Sequence, residues 1–331
     1  MNRNHVPGSA ILFAALLFVL GSCATTPRAA LLPPDSPEIE YLPLAPGAVV
    51  YVFADMDGAR PLLNRIGPGG ISGGQAAEIL DRTRYAAAAM YPAESGQNIQ
   101  AVAWGNYPST RAQFAFTFSK DWKKHKSAEG KSYWYSGRNG LSVALSPGQA
   151  FVAMGAAGGG QNKKNPLDPF ASSPGTASPE GFAEFCRGAV LSLWLENPAA
   201  PLDRFLSEMN LPLQIPAEQL LVSLHPVPAE EPQQEAAPGE TSYEAHLRIK
   251  TPSLSQARAM LTIFSMARLF ASSVATASPS VAPPSMTALL PILFANPPVQ
   301  DGAFLNVRTA PMDSGEIALL FGMFSVYSTQ N

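Results

Sequence analysis

The sequence predicts an α+β protein of two tandem related units, each a mainly antiparallel sheet with helices on one face. Three observations predict it. The apolar stretch Gly47-Ala48-Val49-Val50-Tyr51-Val52-Phe53-Ala54-Asp55 returns 141 residues later as Gly188-Ala189-Val190-Leu191-Ser192-Leu193-Trp194-Leu195-Glu196. Each copy leads into a short turn and a helix start that carries Pro-Leu, at Pro61-Leu62 and Pro201-Leu202; proline suits a first helical turn because its missing N–H would have had no partner there. Both halves then continue as two strands, a helix and closing strands, an order close to the split βαβ arrangement.

The first unit is expected over residues 47–154. Its opening text, dense in Val, Tyr and Phe, reads as a buried strand. Gln75 to Met90 carries Ile79, Tyr85 and an alanine run at helical spacing, so a helix is expected there. Two strands follow, Ile99 to Gly105 and Arg111 to Phe118, joined at Asn106-Tyr107-Pro108. Ser119 opens a second helix, and Leu141 to Leu145 with Ala150 to Met154 close the unit as strands. Residues 155–180, rich in Gly, Ser, Asn and Pro, have linker composition.

The second unit is expected over residues 181–331. Leu220 to Leu224 and Tyr243 to Lys250 are the arms of its hairpin, separated by a polar loop from Pro226 to Gly239 that holds Glu230 and Glu231. Thr251 or Ser253 opens a helix over Leu254 to Val274. On it Met260, Ile263, Phe264, Ala267, Phe270, Ala271 and Val274 form one apolar stripe, which Leu261, Met266 and Leu269 widen beyond a single core face. Arg258 and Arg268 interrupt the run, which argues against a spanning helix. Met286 to Phe294 is a further covering helix, and Ala303 to Arg308 with Glu316 to Phe321 are the closing strands.

Ahead of both units, residues 1–22 follow an export pattern: Arg3 near the start, an apolar run from Ala10 to Leu20, then small residues before Cys23. Eleven apolar residues fall short of the about 20 that a helix needs to cross a bilayer core. Leu20-Gly21-Ser22-Cys23 resembles the lipobox of bacterial lipoprotein signal peptides. That resemblance implies that Cys23 becomes the first mature residue, carrying diacylglycerol on its sulfur and an acyl chain on its nitrogen, with no other cofactor. Gly21 departs from the Ala, Ser or Thr more usual at its position. Ala24, not Asp, follows the cysteine, which resembles the enteric pattern for transfer to the outer membrane. Residues 23–46 hold six prolines and read as a semi-extended tether, able to reach roughly 70 Å at about 3.1 Å per residue.

Composition bounds the partners. The mature chain has 309 residues, with 21 basic and 25 acidic side chains, so nothing in its balance supports nucleic-acid binding. Charged residues are only 14% of the chain against a typical ~25%, which leaves two options: extensive burial, or a surface that meets something apolar. With Cys23 lipidated, Cys186 has no internal disulfide partner and is expected to be a buried small apolar residue.

Candidates for chemistry are few. Gly70-Ile71-Ser72-Gly73-Gly74 matches G-x-S-x-G, but no strand precedes Ser72 to lift its hydroxyl clear. The glycine run at Gly155 to Gly160 is followed by Gln161 instead of the Lys-Ser/Thr pair of a phosphate loop. His225 and His246 lie on the two hairpin arms, placed so that they can approach each other, but no third metal ligand is nearby in sequence and they read as a chance pair of solvated sheet-edge residues. Lys120, Trp122, Lys123, Lys124 and Lys126, with His125, Lys131 and Tyr133-Trp134-Tyr135, form the densest cationic and aromatic patch. It suits anionic lipid headgroups or a glycan; the plainer reading is a solvated helix followed by a strand whose Trp134 packs inward.

These features imply a non-enzymatic, lipid-anchored envelope protein that acts as a scaffold or binding module, its partners being the membrane, through the anchor, and an envelope protein or lipid. The alternative is a lipid carrier or membrane-interacting lipoprotein that uses the amphipathic region 254–294, and a hydrolase at Ser72 ranks third. The general layout resembles uncharacterised lipoproteins of spirochaetes.

Overall fold

The computed structural model describes residues 48–66, 81–92, 97–126, 130, 132–137, 140–146, 148–154, 182–198, 216–227, 241–276 and 284–327. The lipobox, the tether, Ser72, the linker, Lys131, Pro201-Leu202 and most of the polar loop lie outside these residues. The chain divides into two compact units, Met1–Glu184 and Phe185–Asn331. The class is the expected α+β, with antiparallel pairing throughout each unit.

In the first unit β1 (Val50–Asp55) runs directly into α1 (Met56–Ile66). The Asp55 side chain makes the switch, its Oδ1 accepting the Asp57 N–H at 3.1 Å as an N-cap does. Pro61 therefore sits in the second turn and not the first, a correction to the expected helix start. Met56, Ala59 and Leu62 recur at helical spacing and are fully buried.

The next element also overturns an expectation. The alanine run belongs to strand β2 (Thr83–Pro92), not to a helix. Alanine favours helix intrinsically by a few tenths of a kcal/mol per residue, but this strand is paired on both sides, Ala88 opposing Val52 on β1 and Ala101 on β3 (Gln97–Gly105). Thr83, Tyr85, Ala87 and Ala89 are buried and the residues between them half-buried, so the period is two. The hairpin of this unit is thus β2–β3. Gly105 ends it where a Cβ would lie 1.9 Å from the Arg82 carbonyl oxygen, so no larger residue fits unchanged.

Arg111 to Phe118, expected as a strand, belongs to helix α2 (Ser109–Phe118). The cationic stretch, expected as a helix, is strand β4 (Lys123–Lys126). β5 (Ser132–Ser136), β6 (Leu141–Ser146) and β7 (Gln149–Met154) complete the unit, in the spatial order β1-β2-β3-β7-β6-β5-β4. Ala112 and Phe116 of α2 pack with Trp134, Val143, Val152 and Tyr107 in one core.

A short helix α3 (Phe182–Phe185) precedes the second sheet. β8 (Leu191–Glu196), β9 (Gln219–Val227) and β10 (Ser242–Lys250) form a meander. Helix α4 (Leu254–Thr276) and helix α5 (Pro284–Leu293) follow as expected, and then β11 (Val299–Asp301) and β12 (Phe304–Arg308). The order is β8-β9-β10-β12-β11. The last segment, expected as a strand over Glu316–Phe321, is helix α6 (Ser314–Tyr327). Its apolar run has no period of its own, and a reciprocal cap decides the outcome. Asp313 Oδ1 accepts the Glu316 N–H at 2.7 Å, and Glu316 Oε2 accepts the Asp313 N–H at 2.9 Å.

The two units share part of their strand order. In each, a three-stranded meander is followed by the last strand returning beside the third, β7 on β3 and β12 on β10, with its hairpin partner, β6 or β11, on its outer side; the first unit carries two further strands, β5 and β4, beyond β6.

Candidate functional site

The site in the first unit grows out of α2. Its text, Arg111-Ala112-Gln113-Phe114-Ala115-Phe116-Thr117-Phe118, alternates like a strand. Wound as a helix, such a pattern sends its large residues to two faces, because neighbours on one face lie four apart. Ala112 and Phe116 enter the core, while Phe114 and Phe118 point away with 66% and 73% of their surface exposed. Their rings touch, with centroids 4.9 Å apart. Sequence reasoning passed over this exposed pair, although its signal was legible as two phenylalanines at i and i+4 in Phe114-x-x-x-Phe118.

Against α2 packs β4, the outermost strand in the order of this unit. Lys123, Lys124, His125 and Lys126 are all exposed, as is Lys120, whereas Trp122 is half-buried with its ring 4.7 Å from Phe116. Pairing with β5 sets Lys124 opposite Trp134 and His125 opposite Tyr133. Alternation therefore divides the patch between the two sheet faces. Lys124 and Lys126 share the face of α2, Lys124 Nζ lying 5.5 Å from the Trp134 ring centroid. His125 goes to the other face and stacks on Tyr133 at 5.4 Å. Trp134 itself, 1% exposed, packs inward as expected. Charge on an edge strand also discourages pairing with another chain, so these lysines have a structural role beside any binding role.

In the second unit α4 packs on the sheet through Met260, with Phe264 against the same core, and Ala257 and Ala271 of the helix are buried too. Phe264 also meets Phe294, just beyond α5, at 6.0 Å. The extra apolar residues of the wide stripe stay outside: Met266 is 54% exposed and Leu269 71%. Among the described residues no helix is long and apolar enough to cross a membrane.

Cys186 is buried as expected, and burial pushes its thiol up to about 12, against a smaller downward pull from the Ser192 hydroxyl. His225 and His246, expected as solvated residues, are half-buried and stacked at 4.3 Å. Burial, foremost, and then nearby positive charge lower both below the ordinary histidine range. Among the described residues no three His, Cys, Asp or Glu side chains are grouped to hold a metal ion.

An antiparallel α+β chain with an expected lipid anchor and apolar residues outside its covering helices is the class of protein defined to this point. Comparison makes it more particular. The family model of the outer membrane-associated lipoprotein TP0453 matches residues 40–180. Crystal form III of TP0453 is similar with a TM-score of 0.53 at 16% identity, over 92% of this chain and 100% of that one. Crystal form I gives 0.51 at 17% identity over 86% and 96%, and crystal form IV 0.50 at 17% over 85% and 95%. The chain thus shares its fold with TP0453. No curated protein matches in sequence.

Proposed function

We propose that this is a lipid-anchored protein of the outer membrane, held by acyl chains on Cys23 and acting as a binding module or scaffold without catalysis. The observation that carries the reading is the match of residues 40–180 to an outer membrane-associated lipoprotein, in a chain that places Leu20-Gly21-Ser22-Cys23 after an export signal. Two or more acyl chains make attachment effectively stable, at about 0.8 kcal/mol per buried CH₂. The shared part of the strand order further supports the reading that the two units arose by duplication.

Contact with the membrane surface is assigned to Phe114 and Phe118, exposed on α2, beside the lysines of β4. Aromatic rings with adjacent cations match the interface of an anionic bilayer. A second reading, a carrier of apolar ligands, is favoured by the exposure of Met266 and Leu269 on α4.

Fractionation of cells that express Cys23→Ala tests the anchor. The variant is expected in the soluble envelope fraction without incorporated palmitate, and retention in the outer membrane with label would refute anchorage at this residue. Acyl-free protein floated with anionic vesicles tests the surface: F114S/F118S is expected to lower the bound fraction severalfold, and equal flotation would exclude that contact. Uptake of a fluorescent fatty acid, lost in M266S/L269S, would establish the carrier reading instead.

A further inference from the structure

A compact cluster of titratable side chains, apart from the cationic patch, lies in the second unit. Along β9 and β10, Leu220, Val222, Leu247 and Ile249 face α4; by alternation Ser223, His225, Glu244 and His246 occupy the opposite sheet face. Glu244 stands across from His225 and Ser223 across from His246, so the two histidines are diagonal neighbours, within reach of each other across the strands. Their rings stack with centroids 4.3 Å apart and planes inclined by 28°.

Each ring is held. His225 Nε2 lies 2.9 Å from the hydroxyl of Ser223, which is fully buried, and the same imidazole hydrogen-bonds the backbone of Gly188. His246 Nε2 lies 3.3 Å from Glu244 Oε1 and faces Arg308 on β12. Among the described residues the charges acting on the stack are Glu244 from β10, which favours a proton, and Arg308 from β12, which opposes it.

We propose that the His225–His246 stack is an acid-sensitive clasp across β9 and β10: two neutral rings packed together, which proton uptake separates, loosening the sheet of the second unit in mildly acidic surroundings. A proton on either ring must sit in a half-buried position beside Arg308 and against a second imidazole. Burial is the first cause that lowers both groups, and Glu244 offsets it only in part. The sign follows from linkage. A lowered histidine binds fewer protons in the folded chain than in the opened one, so the clasp is complete above the ordinary value of 6.5 and weakens as pH falls through it.

Proton NMR of the imidazole C2–H resonances and thermal melting, both on the mature protein in detergent micelles, test the clasp. With H125Q identifying the third mature histidine, two resonances are expected to titrate below 6.5 in separate steps, as coupled groups do. The melting temperature is expected to drop more between pH 7.5 and 5.5 in the wild type than in H246Q. Independent titration of both rings at or above 6.5, or an equal drop in the two proteins, would overturn the proposal. Should H246Q fail to fold, the wild-type titration decides alone.

Discussion

Besides Met56–Ile66, which packs on β1 and β2, the described part of the first unit covers its sheet with a short ten-residue helix, Ser109–Phe118, where the second uses a 23-residue helix, Leu254–Thr276, followed by Pro284–Leu293. The meander and the returning last strand beneath are alike, although the first sheet runs on through β5 and β4. At 1.5 Å per residue the short helix is roughly 15 Å long and the longer one roughly 35 Å. Unit 1 makes up the difference with aromatic bulk, setting Trp134 and Trp122 against Phe116, while unit 2 uses a run of small and aliphatic contacts through Ala257, Met260 and Ala271. Yet both helices leave apolar residues outward, Phe114 with Phe118 on one and Met266 with Leu269 on the other. In each unit the exposure falls on a helix that covers the sheet, despite the difference in length.

Substitutions can break or sharpen that contrast. Trp134→Ala removes the central aromatic of the short-helix unit and is expected to cost about 3–5 kcal/mol, read from a shift in the urea unfolding midpoint. Met260→Ala empties a smaller volume under the long helix, about 2–5 kcal/mol with an outcome near the lower end; a loss larger than that of Trp134→Ala would reverse the assignment of which unit depends on one side chain. Gly105→Ala drives a methyl group into the Arg82 carbonyl and is expected to cost about 1–3 kcal/mol, with amide exchange faster at the β2–β3 end than elsewhere. Ser253→Ala deletes a cap present only on the longer helix, since Ser253 Oγ accepts the Gln256 N–H at 3.3 Å whereas Pro108 ahead of α2 provides no side-chain cap. About 1 kcal/mol is expected, seen in thermal melting. Phe114→Ser is expected to change stability by less than about 0.5 kcal/mol, and a larger loss would mean that the outward ring is covered in the folded protein.

How far these elements were legible depended on whether their side chains had a single period. The second-unit hairpin and α4 have one, and their expected positions agree with the structure. The mistakes concentrate in unit 1. Alanine at 86–89 carries no side-chain preference strong enough to resist pairing on both sides, and Phe114, Phe116 and Phe118 imitate a strand. Because the hairpin was displaced by one element, the exposed phenylalanines were missed and the lysines were assigned to a helix. At the C-terminal end the Asp313-x-x-Glu316 cap was written in the sequence, but the apolar run beyond it spoke equally for a strand.

By itself the sequence determined the α+β class, the return of one strand text, the inward course of Trp134 and the burial of Cys186, all of which follow from hydrophobicity and local spacing. Tertiary structure alone decided which period the ambiguous segments adopt, because backbone partners and a core surface outweigh propensities of a few tenths of a kcal/mol per residue. It also decided that His225 and His246 stack and that Phe114 and Phe118 face outward. Those relations depend on register and helix rotation, and register is fixed only when whole strands meet.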